Sequence, residues 1–205
     1  MKVIGITGNS GSGKTTLSEI FRKQGIKVID CDKVAKELNS PNTEYMKKIV
    51  ETFGNIVLQS DGNLNRKKLS EIIYNNKEAL NKLNQLTFKY VVDEIKIQLK
   101  NLENDGEKIV GIDAPLLYEA NLDKSCNYII GVIASDEIKI KRICNRDKIS
   151  EEVAKQRLKI QKSDDYFKEK VDLIIENNTE DTEKLKDSVK EIIKKININI
   201  NISSY

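Results

Sequence analysis

The sequence predicts an α/β fold: a mainly parallel five-stranded sheet flanked by helices, with a helical insertion and a helical lid. Three observations carry this expectation. Short runs rich in Ile and Val alternate with helical patterns, as strands covered on both faces by crossover helices require. The stretch "GITGNSGSGKTT" places a glycine-rich loop directly after the first such run. The alternation is broken once, between Pro41 and Gly106, by consecutive helical patterns.

Taken in order, the apolar runs predict strands at Lys2–Thr7, Lys27–Asp30, Lys108–Asp113, Tyr128–Ala134 and Asp172–Glu176. The first helix is expected over Lys14–Gln24, closed by Gly25 in a left-handed conformation. Helices over Thr43–Phe53, Arg66–Tyr74 and Lys77–Leu102, joined by the turn-rich "QSDGN", fill the interruption. A helix over Asp136–Arg146 takes Ser135 as N-cap, with Asp136 and Glu137 in its positive first turn. Another starts near Ser150, followed by Glu151 and Glu152, and the last covers Asp181–Lys195. The tail "ININININISSY" has the period of a strand and reads as low-complexity sequence at a frayed terminus. The chain therefore divides into a core (about 1–40, 107–141 and 171–196), an acceptor-binding insertion (about 41–106) and a Lys- and Arg-rich lid (about 142–170).

Composition removes several chemistries. There is no histidine, so imidazole acid–base catalysis, Ser-His-Asp triads and histidine metal sites are excluded. A general base must be a carboxylate, Lys, Tyr or Cys. Cys31, Cys126 and Cys144 are odd in number and form no CxxC pair, which fits reduced thiols rather than a disulfide framework or zinc site. No apolar run approaches the ~20 residues that span a bilayer, and "MKVIGITG" lacks a secretory signal. These features point to a cytoplasmic protein without a membrane partner. A net charge of +3, without a basic–aromatic platform, argues against nucleic acid. No obligate protein partner is predicted.

The opening loop carries the first positive assignment. Gly8, Gly13, Lys14 and Thr15 match GxxxxGK[ST] between a strand and a helix. Gly8, Asn9, Ser10, Gly11, Ser12 and Gly13 can turn successive N–H groups toward phosphate oxygens, and the helix start at Lys14, Thr15 and Thr16 adds its positive end. Lys14 then reaches the β- and γ-phosphates and the Thr15 hydroxyl ligates Mg²⁺. ATP and Mg²⁺ are the cofactors this P-loop implies. A guanine-reading NKxD is missing, since "NKEA" at 76–79 lacks the Asp, and no LSGGQ-like signature occurs. A small-molecule kinase is what remains.

Acceptor residues are sought at the carboxyl ends of the strands, where α/β sheets bind ligands. Asp30 and Asp32 follow the second strand in "VIDCDKVAKEL". Asp32 reads either as the N-cap of the next helix or as the base that accepts a hydroxyl proton, and the missing histidine favours the second. Asp113 reads as a water-mediated Mg²⁺ ligand or as a polar strand end. "PLLYE", with Leu116 and Tyr118, reads equally as an acceptor surface and as packing.

Over nearly its whole length the chain resembles the dephospho-coenzyme A kinase family. The resemblance rests on the ordered set "GITGNSGSGKTT", "DCD", "GNLNRKKL", "DAPLLYEANL", "RICNRD", "RLKIQ" and "KVDLIIENN". It implies phosphoryl transfer from ATP to the ribose 3′-hydroxyl of dephospho-coenzyme A, the last step of coenzyme A synthesis. Asp32 then matches the family's candidate base, Lys14 and Thr15 its phosphate and metal residues, and Arg142 and Arg146 two lid-side arginines on one helix face. Arg157 fits the lid's RxxxQ pattern, and Asn177 is placed near the adenine. One departure stands out: Phe88 and Lys89 occupy positions where the family commonly has His-Pro. Two other readings remain open, a nucleoside kinase of the uridine-kinase type and a nucleotide-binding regulator without transfer activity.

Overall fold

The computed structural model describes residues 1–74, 76–179 and 183–202. Five strands form one sheet: β1 Lys2–Gly8, β2 Lys27–Asp30, β3 Ile109–Asp113, β4 Tyr128–Ile133 and β5 Leu173–Glu176, in the order β2-β3-β1-β4-β5. β1 pairs in parallel with β3 (Ile6 opposite Asp113) and with β4 (Ile6 opposite Ile130), and β4 pairs in parallel with β5. The expected strands are all present, within a residue or two at their ends. β1 is buried from Val3 onward, which is why its sequence reads as an unbroken apolar run rather than an alternating one.

The chain forms two compact units. The first comprises Met1–Val28 and the chain from Glu107 onward. Its helices include α1 Lys14–Lys23, which lays Leu17, Ile20 and Phe21 into a core with Ile4, Ile6, Ile130 and Val132. Burying each such side chain is worth about 1.5–3 kcal/mol. Gly25, at φ 83°, ends that helix as anticipated, and the Ile26 N–H returns to the Phe21 carbonyl.

The second unit, Ile29–Gly106, contains α2 Cys31–Leu38, α3 Glu44–Phe53, α4 Arg66–Ile73 and α5 Lys77–Asn104. Asp30, Thr43, Asn65 and Asn76 each accept a backbone N–H at the start of the helix they precede, so side-chain caps punctuate the helices as sequence reasoning expects. Tyr45, Met46, Ile49, Val57, Leu64 and Leu69 make the core of this unit, with Leu83, Leu86 and Tyr90 of α5 packed on it. The Tyr45 hydroxyl lies 2.9 Å from Thr87 Oγ1. Phe88 and Lys89 fall within the 28 residues of α5. A proline at 89 would remove one helical hydrogen bond; Lys89 keeps the helix continuous and reaches Asp93 at 3.3 Å.

The first unit completes itself with α6 Asp136–Asp147, α7 Glu151–Lys159, α8 Asp164–Lys170 and α9 Glu183–Ile202. Two expectations need correction. Ser135 does precede α6, but its side chain makes no cap bond; its N–H donates to Asn178 Oδ1 at 2.8 Å instead. The alternating tail is helical to Ile202 rather than a strand. Extending a helix already anchored by buried Leu185, Val189 and Ile192 adds one bond per residue without a new nucleus, and that outweighs the β-preference of isolated isoleucines. Asp181 and Thr182, expected to open this helix, and Ser203–Tyr205 lie outside the described residues.

Cys126 sits against β1, where a Cβ on Gly5 would come within 2.9 Å of its sulfur. Its thiol donates to the Leu122 carbonyl at 3.3 Å, and burial pushes its pKa up to about 12. In the native protein at pH 8, Cys126 is expected to alkylate at least about tenfold more slowly than a free thiol, because the thiolate is the reactive form. Peptide mapping after timed iodoacetamide exposure checks this.

Candidate active site

The phosphate loop is built between β1 and α1. Its glycines are required by crowding as well as by backbone angle. A Cβ on Gly13, at φ 106°, would fall 1.9 Å from Asn177 Nδ2. One on Gly11, at φ 77°, would fall 2.6 Å from the Lys139 carbonyl oxygen. The loop is thus clamped from beneath by β5's end and by α6.

Arg142, on α6, is the main clamp. Its guanidinium donates to the carbonyls of Gly11 and Ser12, each at 3.2 Å, and to the Thr179 carbonyl at 2.9 Å. Asn177 works beside it: the buried side chain donates to the Ser12 carbonyl at 2.9 Å and accepts from Arg142 at 3.4 Å. Asn177, expected near the adenine, is placed under the phosphate loop. The carbonyls of Gly11 and Ser12 are thus engaged by the protein, which fixes the curve of the loop.

α1 starts with no side-chain cap bond and no acidic residue in its first turn. Its positive end is therefore not neutralised from within the helix, unlike those of α7 and α8, which have both a serine cap and acids. Ser12 Oγ is fully buried and finds no hydrogen-bond partner among the described residues. Lys14 Nζ donates to the Asn9 carbonyl at 3.0 Å, and Thr15 is exposed at the helix start while Thr16 is half-buried. Glycine cradle, uncapped helix and orphaned hydroxyl all fit a bound polyphosphate.

The α6 and α7 side reaches the loop rim. Arg146 donates to Ser10 Oγ at 3.2 Å and grips Asp147 with two bonds, at 2.7 and 3.0 Å. Arg157 also donates to Asp147. The Arg146 guanidinium, and after it that of Arg157, hold the Asp147 carboxyl down at about 2. Gln161 accepts the Ser10 N–H at 2.8 Å, and Asn9 donates to the Lys162 carbonyl at 2.7 Å.

The residues expected to serve the acceptor differ in their surroundings. Asp30, not Asp32, caps α2, accepting the Lys33 N–H at 2.9 Å. Asp32 is exposed in the first turn of α2 and is spared that duty. Asp113, at the end of β3, accepts from the buried Ser18 hydroxyl at 2.7 Å. Leu116 is half-exposed at 50%. Tyr118 is committed to packing: its hydroxyl donates to the Lys170 carbonyl at 2.8 Å, and its ring meets Tyr166 edge-on at 5.9 Å. Burial, followed by nearby Asp123, pushes the Tyr118 phenol up to about 12. Ser18, Asp147, Gln161 and Lys162 received no role from the sequence. Gln161 closes the "RLKIQ" signature and Asp147 closes "RICNRD", so the motifs marked them without saying what they touch.

The dephospho-CoA kinase family model matches residues 2–183. The chain belongs to the dephospho-CoA kinase family. A dephospho-CoA kinase of Fusobacterium nucleatum is 42% identical over 177 residues, covering 86% of this chain and 90% of the relative. One from Listeria monocytogenes is 37% identical, covering 95% and 96%. Among solved structures, the dephospho-CoA kinase from Campylobacter jejuni superposes with a TM-score of 0.69 at 31% identity, covering 96% and 98%. This chain is therefore a P-loop kinase, as its resemblance implied. The uridine-kinase and regulator readings are not favoured by these relatives. Among the described residues, no helix is long and apolar enough to cross a membrane, and no group of three or more His, Cys, Asp or Glu is placed to hold a metal ion.

Proposed function

We propose that this kinase phosphorylates the ribose 3′-hydroxyl of dephospho-coenzyme A with Mg-ATP, giving coenzyme A and ADP. The observation that carries the reading is the family match across residues 2–183, joined to a phosphate loop whose helix end the protein leaves uncapped. ATP supplies the phosphoryl group, and Mg²⁺ neutralises the charge that builds up on it.

The chain's own residues do the rest. Arg142 and Asn177 hold the loop's carbonyls and so keep its curve open to the phosphates. Lys14 would take the terminal phosphates and the Thr15 hydroxyl would hold the metal, with Asp113, steadied by Ser18, as a second support. Arg146 neutralises the transferring group from the lid side, and Asp32 accepts the proton of the acceptor hydroxyl. Leu116 offers apolar surface to the acceptor, while Arg157 serves through Asp147. We place the enzyme in the cytoplasm, on the pattern of free cysteines.

The test follows ADP release with Mg-ATP alone, with dephospho-coenzyme A, and with uridine. Release only with dephospho-coenzyme A, matched by coenzyme A formation and abolished by chelating Mg²⁺, is expected. Stimulation by uridine instead would move the chain to the nucleoside kinases. ATP binding without stimulation by either acceptor would mark it as a regulator.

A further inference from the structure

The polar groups at the rim of the phosphate loop close into a ring. The Ser10 N–H donates to Gln161 Oε1 at 2.8 Å, and Gln161 Nε2 donates to the Arg157 carbonyl at 3.2 Å. Arg157 donates through its guanidinium to Asp147. Asp147 accepts twice more from Arg146, and Arg146 returns to Ser10 Oγ at 3.2 Å. The ring begins and ends on one phosphate-loop residue and passes through α6 and α7. Its hub is a single carboxylate, 24% exposed, between two guanidinium groups.

We propose that Asp147 is a positioning residue that sets Arg146, with Arg157 as a second strut, before nucleotide arrives. Two guanidinium groups brought to one place, as Arg146 and Arg157 are here, repel each other, and each has several rotamers of similar energy. A carboxylate between them removes the repulsion, and its two-pronged grip on Arg146 fixes the plane of that guanidinium. An amide cannot do this, because it offers one acceptor oxygen and no charge. The inference rests on the reading above that Arg146 stabilises the transferring phosphoryl group. It asks more of the site than that reading does: the arginine's charge must be oriented, and residue 147 orients it.

Steady-state kinetics on Asp147→Asn, Asp147→Glu, Arg146→Met and the double variant Asp147→Asn/Arg146→Met test it, with thermal unfolding of each. Misplacing a charge at a reacting centre costs up to about 100-fold in rate. Asp147→Asn is therefore expected to lower kcat by about 10–100-fold, with KM for both substrates within about threefold of the native enzyme. Asp147→Glu, which keeps the charge, should recover kcat to within about threefold, and Asp147→Asn should cost less than about threefold once Arg146 is gone. A native kcat in Asp147→Asn beside a large loss in Arg146→Met overturns the positioning role and leaves the function standing. A native kcat in Arg146→Met overturns the role of Arg146 and this inference with it. A loss in Asp147→Asn that tracks a fall in melting temperature, and that Asp147→Glu does not repair, assigns Asp147 to stability alone and overturns the proposal.

Discussion

Asp32→Asn is expected to lower kcat for dephospho-coenzyme A phosphorylation by about 10²–10⁴-fold, the usual contribution of a positioned general base. ATP affinity should stay close to native, because the side chain is assigned to the acceptor hydroxyl rather than to the phosphates. Stability should barely move. Asp30 performs the capping of α2, so Asp32 contributes only its interaction with the helix end, about 0.3–1 kcal/mol. For a chain of this size that is a shift of a few degrees at most, roughly 2–4 °C per kcal/mol. Titration of ATP binding by calorimetry, beside steady-state kinetics, checks both halves. Native transfer rates with native ATP binding would remove Asp32 as the base, and with no histidine in the chain another carboxylate, Lys, Tyr or Cys would have to take its place.

Gly13→Ala is expected to act in the opposite manner, on binding and stability together. The backbone at φ 106° disfavours a side chain, and the new Cβ would overlap Asn177 Nδ2 at 1.9 Å. Relief requires the Asn177 amide to leave the Ser12 carbonyl, or the loop to rise from its clamp. Strain of this kind costs about 1–3 kcal/mol, a fall in melting temperature of roughly 2–12 °C. Displacing the loop also breaks hydrogen bonds to charged phosphate oxygens, each worth about 1.5–3 kcal/mol, so ATP affinity should fall at least tenfold. Differential scanning calorimetry with and without Mg-ATP reads both effects in one experiment. A variant with native melting temperature and native nucleotide stabilisation would mean that the clamp is slack.

Much of this molecule is local in origin and was legible for that reason. Strands buried on both faces, such as the run Val3–Gly8 with its single Thr7, are nearly continuous Ile, Val and Gly, and they announce themselves. Helices begin where Asn, Asp, Ser or Thr can bond the N–H three residues on, and Asn65, Asn76, Ser150 and Ser163 do so. The phosphate loop is contiguous, so its pattern and its chemistry coincide. The same locality misled at Ser135, where a good capping residue has no cap bond to make, and in the Ile/Asn tail, where a two-residue period lies on a helix.

What the sequence by itself determined, then, was the sheet, the helices, the nucleotide loop and the family of reactions it serves. The tertiary structure alone decided what each polar side chain is for. Asn177 and Ser12 are 165 residues apart, as are Ser10 and Gln161 by 151, and no periodicity reports on pairs so distant. They meet because β1 lies beside β4, and β4 beside β5, which brings the end of β5 and the helices after β4 beneath and beside the loop after β1. Burial then presses most donors to find an acceptor, and only the packed chain fixes which one each finds.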